Sequence, residues 1–455
     1  MPASNTIVAL STPPGRSGIG VIRLSGARAL DFTCSLLQDN HFSPQPNSVS
    51  LRTIYDPANG EILDRALITY FKSPRSFTGE DMVELSCHGS PILLLHIVDA
   101  LLHLGARAAD PGEFTLRSLS SGKINLAQAE SLRDLIDAQT HAAVRQAARQ
   151  LGGELSVQLQ PIKDSLLKII VPLESSLEFV EDDLPPVIAE RINKQLSDLV
   201  QCVEELAQTF RAGRLLKEGL RITLAGRPNV GKSSLFNALL AKDRAIVTEI
   251  PGTTRDSLSE LLNLQGIPVL ITDTAGVRAS SDKIESIGIE RTKRAIADAD
   301  LVVVVLDSSI PLTSEDQDVF VEVGASRHLF VFNKSDILSH TYQDGSLFGS
   351  QAPVIKVSAK TGAGLNDLRD ALLQPFMRDF SFDGGFLITN ARHFDLLQRT
   401  ATSLRASNEL FQQRASEELV LAHLYNALNY LGGITGETTS EEVLSHIFST
   451  FCIGK

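Results

Sequence analysis

The sequence predicts a multidomain protein of the α/β plus α class, with an N-terminal α/β domain, a discontinuous helical domain, and a second α/β domain inserted into the helical one. Three observations carry this reading. Short β-rich runs and turn chemistry fill the first 118 residues. An Ala-, Leu-, Gln-, Glu- and Arg-rich texture with helical spacing follows, and it returns near the C-terminus. Between these helical blocks, strands nearly continuous in aliphatic residues alternate with helices. At about 150 residues per domain, 455 residues fit roughly three domains. The predicted boundaries are 1–118, 119–216, 217–378 and 379–455.

In chain order, Thr6–Leu10, Gly20–Leu24 and Arg65–Phe71 read as strands, divided by turns such as Pro13-Pro14-Gly15 and Asp56-Pro57-Ala58-Asn59-Gly60. Pro91–Leu104 reads as a helix with Ser90 as its cap. Gly15–Gly20 has its glycines in the wrong order for a dinucleotide fingerprint and reads as a turn entering a strand. Leu126–Leu151 is helical, because Leu132, Leu135 and Ile136 fall at helical intervals. Leu155–Phe179 continues as helix, with Pro161 and Pro172 marking kinks or breaks. Val187–Leu216, Ala391–Leu410 and Glu417–Leu431 complete the helical blocks. In the insert, Arg221–Ala225, Val269–Asp273, Leu301–Leu306, Leu329–Phe332 and Val354–Lys356 read as buried parallel strands. Ser339–Gln351 reads as a variable surface loop.

Composition narrows the function classes. No apolar run reaches the roughly 18 residues of a bilayer span, and Met1–Leu10 lacks the features of a secretory signal. The formal charge of −12, zero Trp and 5% aromatics disfavour a protein that coats nucleic acid, while leaving room for a local basic patch. Cys34, Cys87, Cys202 and Cys452 form no CxxC pair, which suits a reducing cytosol; the first three read as small core residues. The expected location is cytoplasmic.

The strongest chemical signal is Gly226-Arg-Pro-Asn-Val-Gly231-Lys232-Ser233, which stands between a strand and the predicted helix Ser234–Leu240. Its glycines let backbone N–H groups curl around phosphate oxygens, and the helix N-terminus adds partial positive charge. Lys232 should reach the β- and γ-phosphates, and the Ser233 hydroxyl should ligate Mg²⁺. Asp273-Thr274-Ala275-Gly276 ends a second strand, where a carboxylate can hold a magnesium-bound water and an N–H can sense a γ-phosphate. Asn333-Lys334-Ser335-Asp336 follows another strand, and its carboxylate can accept N1–H and the 2-amino group of guanine; a buried Asp would go unpaired against adenine. Ser358-Ala359-Lys360 resembles the loop that meets guanine O6. In this order the motifs predict a Ras-like P-loop GTPase domain. Thr248–Asp256 fills the first switch, where Thr254 or Thr253 completes the Mg²⁺ shell. Val277 stands where small signalling GTPases carry a water-positioning Gln, which leaves Arg278, Asp282 and Glu285 as nearby polar groups.

With those motifs in hand, the whole chain resembles the MnmE (TrmE) family of tRNA modification GTPases. The resemblance rests further on Thr12–Arg16, Phe77-Thr-Gly-Glu-Asp81, Pro111-Gly-Glu-Phe114, Lys123–Glu130 and the terminal Phe451-Cys-Ile-Gly-Lys455. It implies a homodimer formed through the N-terminal domain, which binds 5-formyl-tetrahydrofolate or a related folate. It implies an FAD-dependent partner, MnmG, in a heterotetramer, and a carboxymethylaminomethyl-type group added to C5 of wobble uridine 34 of certain tRNAs. Matching positions put folate contacts at Arg23, Glu80, Lys123 and Lys455. They put a K⁺ site at Asn229, Thr248, Ile250 and Thr253, and Mg²⁺ at Ser233 and Thr254. GTP contacts would span Gly226, Asn229 to Ser234, Thr248, Thr253, Thr254, Asp273 to Gly276, Asn333, Lys334, Asp336, and Ser358 to Lys360. Glu285 matches the residue that activates water indirectly. Cys452 matches a cysteine linked to the modification reaction, as nucleophile or as part of the folate pocket. Two rival classes remain open: a ribosome-assembly or regulatory GTPase, and a folate-dependent one-carbon enzyme using the GTPase domain as a switch.

Overall fold

The computed structural model describes residues 5–178, 186–243, 258–273, 293–324, 326–337, 351–377 and 385–454. The first switch residues Thr248, Ile250, Thr253 and Thr254 lie outside them. So do Thr274, Ala275, Gly276, Val277, Arg278, Asp282, Glu285, Lys455 and residues 339–350. The chain forms two compact units. The first comprises Met1–Arg133, Gln150–Leu159 and Leu428–Lys455; the second comprises Asp134–Arg149 and Gln160–Ala427.

The first unit is built on a six-stranded sheet: β1 (Ile7–Leu10), β2 (Ile19–Ser25), β3 (Val49–Tyr55), β4 (Ile62–Phe71), β5 (Met82–His88) and β6 (Arg107–Ala108). The order is β3-β4-β5-β2-β1-β6, antiparallel except for β1 with β6. Along β4, buried Asp64, Ala66, Ile68 and Tyr70 alternate with the more exposed Arg65, Leu67, Thr69 and Phe71, so one face is packed and the other wet. Helices α1 (Ala29–Leu37) and α2 (Pro91–His103) cover the packed face through Phe32, Leu36, Leu94 and Ile97, which join Ile22, Leu24, Ile68 and Leu85 in one core. Helix α2 starts as predicted, with extended Ser90 as N-cap and Pro91 in its first turn, although the Ser90 hydroxyl makes no capping bond. Helix α3 is Glu113–Ser120 and α4 is Leu126–Asp137.

The helical blocks are more divided than the sequence suggests. The predicted Leu126–Leu151 helix is α4 and α5 (His141–Leu151). Here the Thr140 hydroxyl caps the second start by accepting from the Ala143 N–H at 3.2 Å. Conversely, α6 (Glu154–Glu178) runs unbroken through Pro161 and Pro172. Buried Ile162, Leu166, Ile169 and Leu173 along it outweigh the roughly 3 kcal/mol each proline costs a helix interior. Val187–Leu216 is α7 (Pro186–Gln208) and α8 (Phe210–Glu218), parted at Thr209, whose hydroxyl bonds the Leu206 carbonyl.

The second unit holds the other sheet: β7 (Leu220–Ala225), β8 (Leu258–Leu264), β9 (Ile267–Asp273), β10 (Leu301–Asp307), β11 (His328–Asn333) and β12 (Val354–Lys356), in the order β12-β11-β10-β7-β9-β8. All pairs are parallel except β8 with β9. All seven residues of β10, Leu-Val-Val-Val-Val-Leu-Asp, are buried, as a strand covered on both faces requires. The predicted burial fails at β12, which is an edge strand with Val354 and Lys356 exposed. The polar-flanked β3, β5, β6 and β8 were not predicted. Helix α9 (Lys232–Asp243) follows β7, and α10 (Ser314–Val323), α11 (Leu365–Met377), α12 (Ala391–Gln412), α13 (Glu417–Thr435) and α14 (Glu441–Ser449) complete the chain. Of the three cysteines expected in the core, only Cys87 is buried; Cys34 is intermediate and Cys202 exposed, on the solvent side of α7.

Candidate active site

The central strand β7 has β9 on one side and β10 on the other, so the loop leaving it opens where the strand order reverses, the usual ligand crevice of an open α/β sheet. That loop is Gly226–Gly231. Asn229 takes a left-handed φ of 65°. At Gly231 a β-carbon would stand 2.3 Å from Asn333 Nδ2, so only glycine fits. Lys232, 5% exposed, points its Nζ back onto the carbonyls of Gly226 (2.6 Å) and Arg227 (2.9 Å), holding the loop as a cradle.

The other predicted segments converge on this loop. Ser233 Oγ donates to Asp273 Oδ2 at 2.7 Å. Two hard oxygen donors so placed fit Mg²⁺, which takes one or two protein groups and fills its shell from phosphates and water. Asn333 is a hub: its Nδ2 donates to the Val230 carbonyl at 3.0 Å and its Oδ1 accepts the Ala359 N–H at 3.0 Å, tying P-loop to base loop. Lys334 Nζ donates to the Asn229 carbonyl (2.9 Å) and to Asp307 Oδ2 (2.6 Å). Asp336 is exposed, not buried as the argument against adenine supposes; the end of β11 lies at the sheet rim. The Ser358 hydroxyl, donating at 2.6 Å, lowers the Asp336 pKa and aims the carboxylate. Lys360 and Ser234 are exposed beside these groups, and the Asn229 side chain makes no hydrogen bond to a described residue.

Sequence reasoning missed Asp307 and Asp316. Burial raises the Asp307 carboxyl, but hydrogen bonds from Lys334 and Ser309 outweigh it and hold its pKa below the ordinary value. Its signal was available: a carboxylate ending an all-aliphatic strand. Asp316, 2% exposed, caps α10 through Thr313 and receives Arg227 Nε at 3.1 Å, anchoring the start of the P-loop. A helical cap three residues into α10 gives no hint in sequence that it meets Arg227.

The predicted folate residues lie within the first unit. Arg23 on β2 pairs in register with Glu84 on β5, and two of its nitrogens bond Glu84 Oε1 at 2.9 and 2.6 Å. Its third nitrogen donates to the Gly454 carbonyl at 3.3 Å, and its guanidinium lies over the rings of Phe77 and Phe114. Ser25, two residues along the same face, bonds Glu80 Oε2 at 2.7 Å, and Arg117 reaches that oxygen at 2.8 Å. Lys123 is exposed, with Cε 3.7 Å from where a β-carbon on Gly79 would stand. The C-terminal turn closes the group: Gly454 has φ 90°, and a β-carbon there would meet the Leu10 carbonyl at 2.6 Å. Cys452 is exposed, and its carbonyl accepts the Gly112 N–H at 3.4 Å. Glu113, which burial would raise, is held low by the Asp110 N–H, Arg107 and Arg117. Thr115 Oγ1 and Ser118 Oγ are buried on α3 without a described partner, so the region retains spare polar capacity that suits a polar ligand. Glu84 and Arg117 were missed; only the strand register reveals the first.

Two family models match. That of the MnmE helical domain covers residues 126–452, and that of the GTP-binding protein TrmE N-terminus covers residues 6–123. The tRNA modification GTPase MnmE of Koribacter versatilis is 43% identical over 458 residues, covering 100% of both chains. That of Aquifex aeolicus is 40% identical over 450 residues, covering 99% of each. Among solved structures, the G domain of the T. maritima FeoB iron transporter is 26% identical, covers 34% of this chain and 97% of its own, and has a TM-score of 0.26.

Proposed function

The chain belongs to the MnmE family of tRNA modification GTPases, and on that premise we propose that it is a K⁺-activated GTPase driving wobble-uridine modification. It binds and hydrolyses GTP and acts on tRNA. In the finer reading it works as a cytoplasmic homodimer with the FAD-dependent partner MnmG, in a heterotetramer. Together they add a carboxymethylaminomethyl-type group to C5 of uridine 34. Residues 1–118 would form the folate-binding and dimerisation domain, 119–216 and 379–455 the helical domain, and 217–378 the GTPase domain.

The observation that carries this reading is the convergence of Lys232, Ser233, Asp273, Asn333 and Ser358 on one crevice through direct hydrogen bonds. Lys232 neutralises the phosphate tail, and the loop N–H groups orient it. Asp336 accepts from the guanine edge, and Ser358 keeps it ionised and aimed. Ser233 and Thr254 would hold Mg²⁺, which when bound would supply charge stabilisation to the phosphoryl group. The Asn229 amide, exposed and without a hydrogen bond to a described residue, suits a K⁺ ligand together with Thr248, Ile250 and Thr253. Glu285 would activate the water. Arg23, Glu80, Lys123 and Lys455 would hold the folate: a Glu suits the donor edge of its pterin and Arg or Lys its carboxylates, and Arg23 lies over the rings of Phe77 and Phe114.

The test is GTP hydrolysis at equal ionic strength in K⁺ and in Na⁺. Turnover should be at least about tenfold faster in K⁺ and lose that preference in Asn229→Ala, a charge-stabilising group elsewhere being worth about 10³–10⁵. Equal rates in the two salts would remove the K⁺ reading.

A further inference from the structure

A cavity of about 680 Å³ opens among α7, α8 and α12 in the second unit, apart from the nucleotide residues. Its floor is set by the small buried residues Ala207 and Ala401, and its rim by Gln208, Arg211, Gln398 and Arg405. The volume falls within the about 300–1,000 Å³ of ligand sites.

The chemistry of the rim is one-sided. Among the described residues Glu204 is the only carboxylate lining it, and both Nε and Nη2 of Arg405 already bond that group. Arg211 is exposed and makes no ion pair with a described residue. The other cations of its helix α8 are matched, Arg214 by Glu218 at 2.6 Å and Lys217 by Asp134 at 2.8 Å, which leaves Arg211 as the cation of α8 with no ion pair among the described residues. In a chain of charge −12, an uncompensated guanidinium over a cavity is a local reversal of sign. The wall beside it is Phe394, stacked on Phe210 at 4.4 Å with the planes 13° apart, so a flat aromatic surface adjoins the positive rim. Guanidinium forks match phosphate oxygens, aromatic faces accept unstacked bases, and glutamine amides can meet base edges. A protein partner's acidic helix would use the charge but give the aromatic wall no counterpart.

We propose that this cavity is where the protein grips the sugar-phosphate backbone of its tRNA, with Arg211 on a phosphate, Arg405 held in place by Glu204, and Phe394 beside a splayed base. The inference rests on the reading of the chain as a tRNA-modifying GTPase and adds the place of contact. It also reconciles an acidic protein with a polyanionic substrate, because the contact is local and carried by few charges.

The test is binding of the full-length protein to bulk bacterial tRNA by fluorescence anisotropy, across a salt series. Arg211→Gln should weaken binding about five- to tenfold and make the slope of log affinity against log salt shallower by about one, the loss of one phosphate contact. Gln208→Glu, which places a carboxylate at the same rim without touching an arginine, should weaken tRNA binding similarly. Both variants should keep the wild-type rate of GTP hydrolysis. Unchanged tRNA affinity and salt slope in both variants would overturn the proposal, as would loss of GTP binding or of the flavin partner in place of tRNA. If deleting the gene leaves tRNA nucleosides unchanged, the tRNA-modification reading itself falls; if nucleosides change but the variants bind tRNA normally, only the cavity assignment falls.

Discussion

The two sheets build their sites by opposite means. In the second unit the nucleotide crevice is made at the ends of parallel strands, from backbone groups and from short contiguous segments, each following its own strand. In the first unit the Arg23 cluster is made from side chains on antiparallel strands and is closed by the chain's last turn, 431 residues away in sequence. The first design writes its chemistry into local motifs. The second writes it into register and long-range closure. Loss of one group should therefore silence the crevice, whereas the cluster should fail by losing its closure.

The largest effect is expected at Lys232. Lys232→Ala removes the buried ammonium that braces the loop carbonyls and is proposed to meet phosphate, and GTP hydrolysis should fall by at least about 10²-fold while the protein stays folded. Hydrolysis near the wild-type rate would break the assignment of the crevice.

A smaller effect, confined to the other sheet, is expected from Gly454→Ala. The substitution forces a β-carbon against the Leu10 carbonyl at a left-handed position, a strain of about 1–3 kcal/mol. The turn should undock, releasing the Arg23 and Ser11 bonds to the Gly454 carbonyl. Formyl-tetrahydrofolate affinity measured by calorimetry should drop, with GTP affinity unchanged. Equal loss of both ligands would erase the contrast between the two sites.

The smallest effect tests a feature the two units share. Glu113, at the start of α3 in the first, and Asp307, at the end of β10 in the second, each have a pKa held below the ordinary carboxylate value. A depressed folded pKa contributes stability that is complete above the unfolded value, about 4, and is lost as pH falls through the folded one. Glu113→Gln and Asp307→Asn should each cost about 1–2 kcal/mol near pH 6 and markedly less near pH 3, followed by chemical denaturation. A cost independent of pH would mean that packing, not ionisation, is what the substitutions remove.

The same contrast explains what could be read in advance. The phosphate loop, Asp273, Asn333 and Ser358 were legible because each follows its own aliphatic strand within a few residues. Arg23, Glu80 and Lys123 came only from resemblance, since nothing local marks an arginine on a half-wet strand as part of a site. Glu84 became visible only through the β2–β5 register, and Arg117 through the packing of α3. The exposure of β12 and of Asp336 was misread because aliphatic content reports a strand, not its place in the sheet. The unbroken α6 shows tertiary burial overriding proline.

The most direct test of the central claim is nucleoside mass spectrometry of tRNA from cells that lack this chain, complemented with wild-type protein or with Lys232→Ala. The C5-substituted wobble uridine should vanish on deletion, return with the wild type, and stay absent with Lys232→Ala. Full modification supported by Lys232→Ala would contradict it.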